Sequence, residues 1–230
     1  MRKFPHYGAI KTEADIIIMT NDGTKGDQVL RDLKNNSRII KFWRNGVDID
    51  TARSIDFNRV NKIRQALGLR QEDKVLLTVS RLVAWKKVDR AIYALSVAKK
   101  RISDLKLVVV GDGDEKKNLM EYAKRIGLED SIIFVGAVEQ EAVKHYLDMA
   151  NIFLSLYDLS NVGNPLLEAM SCGKPIITLD VGDTNQIIYN RKNGMILGLD
   201  QIDIIPDVIV ELIQDDNLSK KIGGKCQNLC

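Results

Sequence analysis

Short apolar runs such as Ile16 to Met19 and Leu107 to Val110 alternate along this chain with longer segments of helical period. That alternation is the signature of repeated βα units on a parallel sheet, so it restricts the fold class before any single residue is considered. Strands are expected at Asp15 to Met19, Arg38 to Phe42, Lys74 to Thr78, Leu105 to Val110, Ser131 to Val135, Asn151 to Leu156, Pro175 to Thr178 and Met195 to Leu197. Between two of them, Val88 to Lys100 gathers Val88, Ala91, Ile92, Leu95 and Ala98 on one stripe, as a helix covering a sheet requires. A more charged helix follows from Glu115 to Ile126, with Asp114 as its expected N-cap and Gly127 as its C-cap. The expected fold is α/β, a Rossmann-like doubly wound parallel sheet.

Domain organisation follows from counting these units. The turn Asn45-Gly46 closes a strand preceded by one other strand and one helix, too little for an independent domain. Residues 1–46 therefore read as the tail of an incomplete Rossmann domain, and residues 47–230 as a Rossmann-like domain of their own. The apolar runs are far too short to cross a bilayer, and no charged segment followed by an apolar one opens the chain. Cys172, Cys226 and Cys230 lack metal-ligand spacing, and an odd number fits a reducing compartment. A cytoplasmic protein is expected, with a peripheral position at a membrane surface left open. The net charge of +3 is spread through helices of mixed sign and gives no reason to expect nucleic acid.

In an open parallel sheet, ligands sit beyond the carboxyl ends of the strands, and three segments there carry chemistry. Ser80-Arg81-Leu82-Val83-Ala84-Trp85-Lys86-Lys87 places a planar guanidinium, Arg81, and a mobile ammonium, Lys86, at the ligand-facing edge. Such a pair suits a diphosphate, although a solvated basic loop would account for either residue alone. Ser160-Asn161-Val162-Gly163-Asn164-Pro165-Leu166-Leu167-Glu168 marks a helix start, with Asn164 as expected N-cap and Pro165 at the first helical position. N–H groups of its first turn would face anions or sugar oxygens, and the Glu168 carboxylate could accept from two neighbouring hydroxyls of a ribose. Compensation of the helix dipole would equally explain a glutamate there. In Gly111-Asp112-Gly113-Asp114 the glycines permit a tight turn and close approach to backbone, without the third glycine of a dinucleotide fingerprint. Asp112 and Asp114 have a D-x-D spacing able to hold a divalent ion, but a capping turn explains both, and no metal is expected. His6 lies near the start, and His145 is expected to be solvated, beside inward-facing Ala142, Val143, Tyr146 and Leu147. No Ser-His-Asp, C-x-x-C or H-E-x-x-H arrangement supports a hydrolase or zinc site.

In order, these segments resemble the C-terminal domain of the group 1 glycosyltransferases, glycosyltransferase family 4, which are retaining enzymes of GT-B fold. Asn45-Gly46-Val47-Asp48 looks like the crossing between domains, and Arg81-Leu82-Val83 with Lys86 like the phosphate-binding pair. Gly111-Asp112-Gly113, Phe134-Val135-Gly136, Leu166-Leu167-Glu168-Ala169-Met170 and Gly173-Lys174-Pro175 follow in the family's order. The resemblance implies that Arg81 and Lys86 bind the donor diphosphate and supply the catalytic charge, that Glu168 holds the ribose, and that backbone at Val138 meets the base. Gly111, Gly113, Ser160, Gly163, Asn164, Pro165 and Leu166 complete the implied donor site. The family usually has glutamate where this chain has Ser160, glycine where it has Lys87, and often glutamate where it has Gln186.

The expected function is transfer of a sugar from a UDP- or GDP-sugar to an acceptor with retention, without cofactor or metal. The family's N-terminal acceptor domain is represented only by its last βαβ piece, and the family continues past the point corresponding to Cys230. An incomplete enzyme is therefore expected, with a partner chain as one source of the missing domain. A non-catalytic nucleotide-sugar-binding subunit or relic is the alternative, and a nucleotide-sugar epimerase ranks below both.

Overall fold

The computed structural model describes residues 11–20, 26–43, 45–48 and 56–227, with side chains described up to residue 224. His6, Cys230 and the Cys226 side chain lie outside these. Strands β1 (Ile16–Thr20) and β2 (Ile39–Trp43) pair in parallel around α1 (Gly26–Asp32), whose Leu30 is buried. A second sheet holds β3 (Lys74–Val79), β4 (Leu105–Val110), β5 (Ile132–Gly136), β6 (Ile152–Ser155), β7 (Ile176–Leu179) and β8 (Met195–Leu197). Its order is β5-β4-β3-β6-β7-β8, with every neighbouring pair parallel.

Apolar residues fill both faces of this sheet because successive side chains point to opposite sides. Leu76, Leu105, Leu107, Ile152, Leu154 and Leu179 enter one core with α3 (Val88–Ala98), α4 (Lys116–Arg125) and α7 (Ile205–Gln214). Val75, Leu77, Val108, Val110, Phe153 and Ile176 enter the other with α2 (Phe57–Ala66), α5 (Gln140–Met149) and α6 (Asn164–Ser171). The expected α3 stripe is buried throughout. A last helix, α8 (Asp216–Gln227), crosses so close to the turn after α6 that a Cβ on Gly223 would stand 2.2 Å from the Gly173 carbonyl oxygen. The fold is the Rossmann-like doubly wound sheet expected from the alternation.

The corrections concern ends and one histidine. Helix α3 stops at Ala98, with Lys99 and Lys100 in the turn beyond it. Asp114 does not cap α4: Glu115 occupies the cap, and its N–H is taken by the Leu82 carbonyl at 2.9 Å. Gly127 follows the cap residue Ile126 at φ +68°, closing α4 through Leu128 N–H to Ala123 O at 2.9 Å. His145 is buried, only 3% exposed, because α2 packs across α5 and widens its covered arc beyond the sheet-facing stripe. Burial, helped by the charges of Arg59 and Lys144, lowers its pKa and favours the neutral imidazole.

Candidate functional site

Numbering outward from β3, the chain fills β4 and β5 on one side, then crosses back to lay β6, β7 and β8 on the other. The crossovers on the two sides of β3 and β6 run apart and leave a crevice at the carboxyl ends of these two strands, the usual ligand position in such sheets. Both loops singled out in the sequence border it: Ser80 to Lys87 after β3, and Leu156 to Gly163 after β6.

The loops are bound to one another. The Asp158 N–H donates to the Trp85 carbonyl at 3.0 Å. Arg90, on the first turns of α3, donates to the Leu156 carbonyl at 2.8 Å and to the Asp158 carboxylate at 2.6 Å, and Lys87 stands 3.7 Å from the same carboxylate. The Tyr157 hydroxyl donates to the Val79 carbonyl at 3.0 Å, and burial pushes this phenol up to about 12. Asn161, fully buried, accepts from Ser155 Oγ at 2.9 Å and Tyr157 N–H at 3.0 Å and donates to Leu179 O at 3.2 Å, fastening the second loop to β6 and β7. Tyr157, Asp158 and Arg90 bear no sequence mark of this role, nor does Asn161 within its segment: an arginine and an aspartate 68 positions apart carry no local sign of their pairing.

Arg81 is exposed, and among the described residues no carboxylate lies within ion-pairing distance of it. It shares a concavity of about 300 Å³ with Ser80, Gly111, Asp112 and Val138. Lys86 ends a single 3₁₀ turn, Ala84–Lys86, and its ammonium lies over the Trp85 and Tyr157 rings. Lys87 adopts φ +48°, which explains why glycine suits that position. Lys87→Gly should raise stability by up to about 1 kcal/mol through relief of the left-handed backbone, whereas Lys87→Ala keeps the strain and loses the Asp158 contact. Denaturant unfolding should rank the variants glycine, lysine, alanine; a glycine variant less stable than alanine would contradict this account.

Gly111 and Gly113 are demanded by backbone rather than by open space. A Cβ on Gly111 would lie 1.8 Å from Ser80 O, and one on Gly113 2.4 Å from Leu82 O. Here the β3 and β4 loops close on each other through Leu82 N–H to Asp112 O at 2.9 Å. Asp112 accepts from Gly113 N–H and Lys116, each at 2.8 Å, and the Lys116 side chain holds its carboxyl below the usual range. Among the described residues no group of three or more His, Cys, Asp or Glu is placed to hold a metal ion.

At α6 the cap is Gly163, not Asn164, because the extended residue whose carbonyl receives the first helical bonds is the glycine. Leu166 and Leu167 direct their N–H groups to Gly163 O at 3.0 and 3.2 Å, and Pro165 has none. The expected array of open donors thus narrows to Asn164 N–H. The Leu166 side chain is core, and the buried Ser160 hydroxyl accepts the Val162 N–H at 3.3 Å. Glu168, half-buried, lines a concavity of about 230 Å³ with Gly46, Val47, Asp48, Gln140 and Lys144. Burial raises its carboxyl above the ordinary range, while a hydrogen bond from Gln140 pulls it down. Burial pushes the Cys172 thiol up to about 11, which disfavours its thiolate at neutral pH. A wider concavity, about 600 Å³, lies between α3 and α4 beside the β3 loop, lined by Val83, Ala84 and Lys87 among others, and its Lys87 and Arg90 already face Asp158.

The chain is 27% identical over 168 residues to N-acetyl-alpha-D-glucosaminyl L-malate synthase of Bacillus anthracis, covering 73% of this chain and 43% of that protein. It is 27% identical over 187 residues to a GDP-mannose-dependent alpha-(1-6)-phosphatidylinositol monomannoside mannosyltransferase of Mycobacterium tuberculosis, covering 78% and 48%. The chain thus spans less than half the length of these curated relatives. Among solved structures, HepE of Anabaena in complex with UDP and glucose superimposes with a TM-score of 0.80 at 22% identity, covering 94% of this chain and 58% of that one. The C-terminal domain of LpcC from Francisella tularensis gives 0.70 at 25% identity, covering 80% and 96%. The fold matches GT-B glycosyltransferase structures, and the family model of glycosyl transferases group 1 matches residues 59–228: the chain belongs to that family.

Proposed function

We propose that the crevice between β3 and β6 binds the nucleoside diphosphate of a UDP- or GDP-sugar, and that the protein acts in retaining transfer of the sugar to an acceptor. The observation that carries this reading is the convergence of the Arg81–Lys86 loop and the α6 start on the switch point of the sheet. Arg81 and Lys86 would meet the diphosphate and stabilise the charge it gains as its oxygen parts from the anomeric carbon. The Asn164 N–H would add a donor at the α6 terminus, with Gly163 beside it. Glu168 would accept from ribose hydroxyls, and the backbone at Val138 would lie at the base. Gly111, Gly113, Ser160, Pro165 and Leu166 would shape the walls rather than touch the ligand through their side chains. No metal requirement is proposed.

Residues 1–46 and 47–230 are proposed as parts of two domains. Parallel sheets are covered on both faces, yet Ile16, Ile18 and Trp43 of the two-stranded sheet are more than half exposed. We infer that further acceptor-side α/β structure covers them, on the same polypeptide or on a partner chain. The second reading, a nucleotide-sugar-binding subunit without catalysis, is favoured by Ser160, whose hydroxyl is turned to the Val162 N–H where the family usually has glutamate.

Titration of the full chain with UDP, GDP and ADP, with and without magnesium, tests the site. One nucleotide should bind saturably and independently of magnesium, and Glu168→Gln should weaken it about tenfold through loss of charge-assisted bonds to the ribose. Because the Glu168 pKa is raised, its proton returns at a higher pH than an ordinary glutamate's, so affinity should fall early on acidification and the Gln variant should lack that limb. The linkage has the opposite sign for stability. A raised folded-state pKa favours folding at low pH and loses that contribution as pH rises through it, so Glu168→Gln should unfold no more easily than wild type at neutral pH. Folded protein that binds none of the nucleotides would exclude the donor-site reading. Sugar transfer by the chain, with an acceptor supplied, would exclude the non-catalytic one.

A further inference from the structure

The basic loop and α3 place four cations, Arg81, Lys86, Lys87 and Arg90, within ten residues, and the structure treats them differently. Lys87 and Arg90 both face Asp158. The Lys86 ammonium stands 3.7 Å from the Tyr157 ring centroid and 4.2 Å from that of Trp85. The two rings meet edge to face, 6.2 Å apart with their planes at 83°, so the cation lies in the angle between two walls. Both distances are well inside cation–π range.

Both walls are anchored, Tyr157 through its ring and Trp85 through its backbone. Tyr157 is 3% exposed, its hydroxyl is held by Val79 O at the end of β3, and its N–H is held by Asn161 Oδ1. Trp85 is pinned through its carbonyl by the Asp158 N–H. A long lysine side chain loses much rotamer freedom on meeting a ligand, and a seat that limits it beforehand removes part of that loss. Aromatic faces attract an ammonium while leaving its positive charge in place.

We propose that Tyr157 is a positioning residue: with Trp85 it forms an aromatic seat that aims the Lys86 ammonium at the β-phosphate of a nucleoside diphosphate in the switch-point crevice. This rests on the donor-site reading above and adds a specificity to it, preference for a diphosphate over a monophosphate. Tyr157 acts only through Lys86.

The test is the ratio of affinities for UDP against UMP and for GDP against GMP, measured by calorimetric titration of the full chain. Wild type should prefer the diphosphate, and Lys86→Ala should abolish most of that preference. Tyr157→Leu should weaken diphosphate binding about tenfold and leave monophosphate binding within about twofold, the size of a desolvated cation–π contact. Tyr157→Phe keeps the wall, loses the bond to Val79, and should retain the wild-type ratio. Trp85→Leu removes the other, less buried wall and should lower the ratio in the same direction; it carries the test if Tyr157→Leu does not fold. Equal losses for both nucleotides in the wall variants, or a Phe variant as weak as the Leu variant, would overturn the seat. A preference lost in Lys86→Ala but intact in both wall variants would overturn this inference alone. A preference that survives Lys86→Ala removes the role of Lys86 and the seat with it, and a folded wild type that binds no nucleotide removes the donor site as well.

Discussion

Replacement of Arg81 and Lys86 together by alanine is expected to lower nucleoside diphosphate affinity by at least about 100-fold, since each charge-assisted contact contributes roughly 1.5–3 kcal/mol. The melting temperature should move by only a few degrees. Arg81 is exposed, and among the described residues it has no carboxylate partner to orphan. Lys86 gives up its place over two rings, and the ion pairs of Lys87 and Arg90 remain to hold the loops together. Removal of a surface cation is normally cheap for the fold, so a large binding defect without unfolding separates a ligand role from a scaffolding one. Titration of the double variant beside each single one decides it: a combined loss under tenfold would take both residues out of the binding site.

Gly111→Ala should act on the fold instead, costing about 3 kcal/mol or more from forbidden backbone and overlap together. Gly111 has φ +129°, and the added Cβ would press on the carbonyl of Ser80, an atom unable to swing aside because Ser80 N–H is bonded to Val110 O and Gly111 N–H to Gly136 O. Three strand ends are stitched at that point, so relief would require the β3 and β4 loops to separate. In a chain of this size that corresponds to a fall in melting temperature of about 10 °C. Gly68→Ala is the control: its φ is +66° and nothing lies within 4 Å of the added carbon, so it should cost only about 1–2 kcal/mol of left-handed backbone energy. Equal shifts at the two positions would refute the crowding argument.

The architecture was readable because a strand covered on both faces is an uninterrupted apolar run. Leu105 to Val110 and Met195 to Leu197 were located to the residue, each ended by a glycine that terminates the run. Runs with polar edges were displaced by one, as at β1 and β7. The caps fall at Gly163 and Glu115 rather than Asn164 and Asp114 because residue preference marks a helix start only to within a position, while the bonding carbonyl decides it. The burial of His145 is not legible in the sequence, because the residues around α5 do not reveal that α2 lies across it. Among the proposed site residues, Arg81, Lys86 and Glu168 are legible in the sequence as charges following apolar runs. Tyr157, Asp158 and Asn161 have meaning only through β3 and β7, and that adjacency is a property of strand order rather than of spacing along the chain.

That strand order also sets a timetable for synthesis. β3 is the first of the six strands to leave the ribosome and ends at the middle of the sheet, where Leu76 pairs with Leu107 on one side and with Ile152 on the other. At about 5–20 residues per second, the second partner emerges on the order of ten seconds after the first strand. Throughout that interval one long apolar edge of the nascent sheet stays open. A chain built this way should depend on chaperone cover until β6 docks, and its aggregation during expression should worsen when translation is slowed between Val110 and Ile152.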